Sequence, residues 1–245
     1  MTMTHDDLLL QAHFIELETL AHHATKKWDK RDPEKLKGAV VHQSLETYGT
    51  ASGNAKYHVS PNHVSADGLP GLSYTIFIER KGRVILANPV DCKTYSQGYG
   101  GRPGDENEEF LSICVGGNFS APGYAGTQTP TANQLELLKR TWEKLKEVFG
   151  WFDEDLYGHY HFGKPTCPGN ELAEFIDSVR PRTFTSTVER QKALQKLDYY
   201  KGTVDGQWGP GSKTALTEFQ KKAGLIPDGV WGDKVSAAVK TALGA

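Results

Sequence analysis

The pentapeptide Asp205-Gly206-Gln207-Trp208-Gly209 recurs 23 positions later as Asp228-Gly229-Val230-Trp231-Gly232, so the end of the chain is built twice from one unit. Asp-Gly supplies a turn, Trp a large apolar anchor and the second Gly a tight backbone. Apolar residues follow each copy at helical spacing: Ala215, Leu216 and Phe219, then Val235, Val239 and Leu243. With a helix over 188–197 in front, residues 188–245 are expected to form a small all-α three-helix domain whose repeated loops help hold it together. The Pro/Thr/Ser stretch at 181–187 reads as a linker, which leaves residues 1–180 as a larger domain.

Residues 6–30 carry Leu9, His13, Leu17 and Leu20 at three-to-four-residue spacing and are expected to form one helix ending before Asp32-Pro33. Val40-Val41-His42 closes a short apolar run that reads as a buried strand, feeding a surface loop rich in Gly, Ser, Asn and Pro through Pro70. Two β-rich runs, 73–78 and 80–86, flank Lys81-Gly82 and predict a hairpin. A further strand is expected over 110–115, and helices over 131–149 and 171–179.

Ten Phe, ten Tyr and five Trp supply enough apolar surface for a real core, which excludes a disordered chain. The formal net charge of −2 offers no general basic field for nucleic acid. It is unevenly spread: residues 181–245 hold 10 Lys or Arg against 6 Asp or Glu, leaving 18 against 24 in residues 1–180. Cys92, Cys114 and Cys167 are an odd set at irregular spacing, so a disulfide framework is not expected, and a metal-bound thiolate is one alternative state. The amino terminus has neither a basic n-region nor an apolar stretch long enough for a signal peptide or membrane span, from which synthesis as a soluble cytoplasmic protein is expected.

The segment from Gly158 to Gly169 (Gly158-His159-Tyr160-His161-Phe162-Gly163-Lys164-Pro165-Thr166-Cys167-Pro168-Gly169) brings imidazole and thiol within reach of one loop. Zn²⁺ takes nitrogen and sulfur ligands tetrahedrally, with one position left open in catalytic sites. A loop with incidental histidines and a buried Cys is the other reading. In an extended segment, residues two apart face the same way, so both His159 and His161 are candidates to reach a metal.

This segment resembles the "GHRD…CPG" signature of zinc-dependent N-acetylmuramoyl-L-alanine amidases of the type 2 family, which share their fold with peptidoglycan recognition proteins. Val40-Val41-His42 is similar to that family's first-strand ending, and Leu72-Ser73-Tyr74-Thr75-Ile76-Phe77-Ile78 to its "GYHFVI" hairpin. Ser112 to Phe119 is similar to its "SIGI…GNF" strand. The tail separately resembles the type 1 peptidoglycan-binding domain, through both Asp-Gly-x-Trp-Gly copies, Thr214, Phe219-Gln220 and Gly224-Leu225. The resemblance implies a mixed central β-sheet flanked by helices, with Zn²⁺ on His42, His159 and Cys167. Tyr74 and Lys164 would stabilise the oxyanion. The reaction implied is cleavage of the amide between N-acetylmuramic acid and the L-alanine of the stem peptide.

The match departs from the family at Pro165, which occupies the position of its Lys or Thr, so that role falls between Lys164, the first choice, and Thr166. Val115-Gly116-Gly117 carries no carboxylate where some members have a catalytic Glu. His161 is then expected to contact either a ligand or the substrate, while Trp208 and Trp231 either stack on wall polymer or pin their loops. His58 and His63 read as solvated loop residues, with lining of the substrate groove as the alternative, His5, His13, His22 and His23 as solvent or packing residues of the first helix, and Cys92 and Cys114 as buried thiols. The expected partner is peptidoglycan, with no nucleic acid or membrane partner, in a monomer. A catalytic domain joined to a wall-binding one, with no signal peptide, looks like a phage endolysin released through a holin. A zinc peptidase of stem peptides and a non-catalytic recognition protein are the competing functions.

Overall fold

Alternation along the strands decides which side of the sheet becomes core and which becomes site. The computed structural model describes residues 3–97, 105–120, 126–151, 153–180, 184 and 186–243. It divides into two units, Met1–Pro181 and Arg182–Ala245. In the first, α1 (His5–Leu10) leads into β1 (Ile15–Leu17), followed by β2 (Ala39–Gln43), α2 (Ala51–Val59), β3 (Ile76–Ile78) and β4 (Val84–Leu86). Then come α3 (Glu106–Glu109), β5 (Leu111–Val115), α4 (Ala132–Phe149), β6 (Leu156–Gly158) and α5 (Asn170–Val179). The six strands form one sheet in the order β1-β4-β3-β5-β2-β6, parallel at every junction except the β3/β4 hairpin.

On one face, Ala39, Val41, Ile76, Ile78, Val84, Leu86, Leu111, Ile113 and Val115 pack with Leu138, Trp142 and Leu145 of α4 and Leu172 and Ile176 of α5. The opposite face carries the intervening residues: Phe77, Ile85 and Cys114 lie under Ala51 and Ala55 of α2, while His42 and Ser112 make it partly polar. Helix α4 starts at a capping box, the Thr131 hydroxyl accepting from the Gln134 N–H and the Gln134 side chain from the Thr131 N–H. Gly150, at φ +68°, ends it.

Two expectations fail. Residues 6–30 are not one helix: after α1 the chain turns at His13, where φ is +57°, and becomes a strand parallel to β4. The spacing that suggested a stripe is no stripe, since Leu9 is buried while Leu17, on the edge strand, is 68% exposed. The loop expected after β2 contains α2, whose Gly53 and Asn54 are weak helix formers, so only the Thr50 cap marks its start.

In the second unit, α6 (Thr187–Lys196), α7 (Pro210–Lys222) and α8 (Asp233–Leu243) enclose Leu194, Leu216, Phe219 and Val239. Each repeated turn is staked by a buried glutamine of the preceding helix. Gln191 Oε1 accepts from the Gly206 N–H and its amide donates to Asp205 and the Gln207 carbonyl; Gln220 does the same for Gly229, Asp228 and Val230. Gly206 and Gly229 both take left-handed φ, +75° and +67°, which explains the glycine in each copy. Trp208 and Trp231 meet edge to face at 6.0 Å, and the Trp231 indole N–H donates to Ser236.

Candidate active site

His42 is the penultimate residue of β2 and lies beside Cys114 of β5 in the parallel register, so the two side chains share the polar face. Beyond the β2/β6 pairing, which ends at Val41 opposite Gly158, His159 begins a 3₁₀ turn over His159–Phe162 and lies next to His42. The two imidazoles are 4.4 Å apart between ring centroids. Cys167 arrives from the loop before α5, which is tied to β2 by Gln43: its amide donates to the Thr166 carbonyl at 2.9 Å, and its Oε1 accepts from the Phe119 N–H. Gly169, at φ +103°, lets that loop pass against the Phe119 backbone, where a Cβ would strike the carbonyl.

One donor atom each from His42, His159 and Cys167 lies within 4.8 Å of the others. His42 Nε2 is buried and has no hydrogen-bond partner. Burial, then repulsion from His159, holds His42 well below the usual imidazole range, so it is neutral with a free lone pair. His159 Nε2 lies 2.7 Å from the Gln97 carbonyl; since a carbonyl only accepts, Nε2 carries the proton and Nδ1 the lone pair. Burial pushes the Cys167 thiol up to about 11, against the lowering pull of the Gln43 backbone and of Lys164. Two neutral imidazoles, one with its buried nitrogen unpartnered, and a thiol form a donor set that fits a borderline-soft divalent cation such as Zn²⁺.

Tyr74 lies just before β3 with its ring centroid 5.4 Å from His42. Its phenol stays protonated, held well above its ordinary range by burial and then by Cys114 and Cys167. The Asn88 amide donates to the Leu72 and Tyr74 carbonyls at 2.6 and 2.7 Å and fixes the backbone here. Lys164 and Thr166 are both exposed, and Lys164 lies near enough to lower the basicity of His159 as well as the thiol of Cys167.

His161 stands apart. In a 3₁₀ turn, residues two apart do not share a side, and its Nε2 accepts from Arg180 at 2.6 Å while Nδ1 lies 3.2 Å from the Gly158 backbone. His58 is not a solvated loop residue: it is buried on α2, its Nδ1 accepts from the Ser73 N–H at 3.0 Å, and its ring is 5.7 Å from Tyr74. Burial pulls it down to about 4. His63 is exposed. Among the first histidines only His5 is helical, stacked on Phe149. Gln43 and Gln97 escaped sequence reasoning. Only Gln43 left a signal, an amide following a histidine inside a buried strand.

A mixed sheet flanked by helices, with two histidines and a cysteine converging on its polar face, defines a mixed α/β domain with a candidate metal site. The chain belongs to the N-acetylmuramoyl-L-alanine amidase family, whose model matches residues 13–170, and residues 186–239 match a putative peptidoglycan binding domain. The amidase LysC from Clostridium intestinale aligns at 18% identity over 67% of this chain and 95% of its own, with a TM-score of 0.51. The endolysin amidase LysCS from the same organism aligns at 18% over 67% and 93%, with a TM-score of 0.50. Peptidoglycan recognition protein SD of Drosophila gives 18% over 64% and 88%, with a TM-score of 0.49. No curated protein sequence matches the chain. The fold is thus the one the sequence resemblance implied. No helix among the described residues is long and apolar enough to cross a membrane.

Proposed function

We propose that the chain is a zinc-dependent peptidoglycan hydrolase that cleaves the amide between N-acetylmuramic acid and L-alanine, as a cell-wall lytic, endolysin-like enzyme. The observation that carries the reading is the buried, unpartnered His42 Nε2 facing His159 and Cys167 in a chain of the amidase family. His42 Nε2, His159 Nδ1 and the Cys167 thiolate would hold the ion. Zinc so held supplies Lewis-acid polarisation of the scissile carbonyl and acidifies water.

The protein's own groups do the rest. The Tyr74 phenol, protonated across the working pH range, donates to the carbonyl oxygen as negative charge builds there. Lys164, with its flexible ammonium, serves the same oxygen from the solvent side, with Thr166 as its neighbour in that role. His161, braced by Arg180, keeps the Gly158–His159 backbone in place. The tail holds the enzyme on insoluble polymer and so raises the local substrate concentration; its excess of basic residues suits an anionic wall. Trp208 and Trp231 primarily close the tail loops, and their exposed edges offer stacking surface.

Digestion of purified sacculi tests the reading. Release of stem peptides with free amino-terminal L-alanine supports it. New amino groups at other stem positions, or no release, would replace it with a peptidase or a binding protein.

A further inference from the structure

Arg31 is 5% exposed and makes no ion pair among the described residues. Its guanidinium donates to backbone carbonyls instead: Nε to Val90 at 2.9 Å, and Nη1 to Asn107 at 2.7 Å and Phe110 at 2.8 Å. Nη2 reaches the Thr75 hydroxyl, beside Tyr74, at 3.3 Å. Removing a cation from water is costly, and burial lowers its basicity to about 10 against the opposing pull of Cys92, Glu108 and Asp91. An apolar side chain in its place would leave the Val90, Asn107 and Phe110 carbonyls without this donor, so the cation ties these segments together.

Two of the residues that Arg31 clamps also hold Gln97, which is fully buried. The Gln97 N–H donates to Asn107 Oδ1 at 3.0 Å, and its side-chain amide donates to the Phe110 carbonyl at 3.2 Å. The Gln97 carbonyl is the group that accepts from His159 Nε2. The chain of contacts thus runs from a buried guanidinium, through Asn107 of α3 and Phe110 at its C-cap, to the carbonyl that accepts from His159 Nε2.

We propose that Arg31 and Asn107 are positioning residues that, through Gln97, lock His159 in its Nε2–H tautomer and present Nδ1 to the metal. The metal part rests on the zinc reading above, whereas the tautomer part does not. Outer partners of this kind typically change metal affinity by about 10- to 100-fold.

The test uses the full chain with ¹⁵N-labelled histidine at one fixed pH. In the metal-free wild type, His159 should show a single Nε2–H tautomer. Asn107→Leu removes the acceptor for Gln97 and should give mixed tautomers and about tenfold weaker zinc binding by chelator competition. Asn107→Asp keeps the acceptor and should restore both readouts. If Asn107→Leu lowers the Tm but leaves tautomer and zinc affinity unchanged, the cluster is only a staple and the proposal is overturned. If the wild type binds no zinc while the tautomer still responds, the zinc reading fails and the positioning stands. Should Asn107→Leu not fold, Gln97→Ala removes the amide bond to Phe110 and the acceptor of the Ser96 hydroxyl while keeping the backbone bond to Asn107, and a smaller shift in both readouts is expected; no shift would overturn the proposal.

Discussion

The repeated turns of the tail and the polar face of the sheet are both built around buried side chains that hydrogen-bond backbone, yet they end differently. In the tail, Gln191 and Gln220 use both carbonyl and amide on their own turn, so the network closes on itself. On the sheet, Gln43 and Gln97 are equally well used, but the residues they support converge on a buried nitrogen without a partner, His42 Nε2. A closed network needs no ligand and serves the fold. The open one costs stability until a ligand partners that nitrogen.

The contrast is sharpened most by Tyr74→Phe, which deletes the donor proposed for the reacting oxygen and leaves His42, His159 and Cys167 in place. We expect kcat on soluble muropeptide to fall by about 10²- to 10³-fold with zinc content intact. An unchanged kcat would remove Tyr74 from the chemistry.

His58 gives a pH-dependent expectation. Its folded value near 4 lies below the ordinary 6.5, so between these values the unfolded chain binds a proton that the native chain refuses. Stability therefore falls as pH drops from 6.5 towards 4, by about 3 kcal/mol from this residue. Denaturant melts of His58→Gln should show a flatter profile over that window; an identical slope would refute the burial argument.

The smallest effect belongs to the closed network. Gln220→Leu leaves the Gly229 N–H and Asp228 without their partner and should cost about 1–3 kcal/mol in thermal unfolding, with zinc content and activity on soluble fragments unchanged. A loss of zinc would show that the two regions are not separate devices.

What could be read from the sequence follows the range of each interaction. The tail was legible because Asp-Gly turns and helical spacing are local, and the β3/β4 hairpin for the same reason. The ligand-type residues His42, His159 and Cys167 showed through motif resemblance, although their spatial convergence depends on the parallel register of β2 with β6. Residues 6–30 misled because Leu9 and Leu17 satisfy helical spacing while belonging to a helix and an edge strand; pairing with β4, remote in sequence, decides the outcome. His58 reads as solvated because its burial depends on α2 packing near Tyr74, and Gln97 left no mark because it acts through a backbone carbonyl that any residue type carries.

The central claim is that the open network holds a catalytic metal. The direct measurement is metal content by mass spectrometry alongside sacculus digestion, for the wild type and for Cys167→Ala. The account predicts about one zinc per wild-type chain, and in the variant both a loss of that zinc and at least roughly a 10³-fold fall in L-alanine amino termini released. A Cys167→Ala protein that keeps its zinc and its full activity would contradict it.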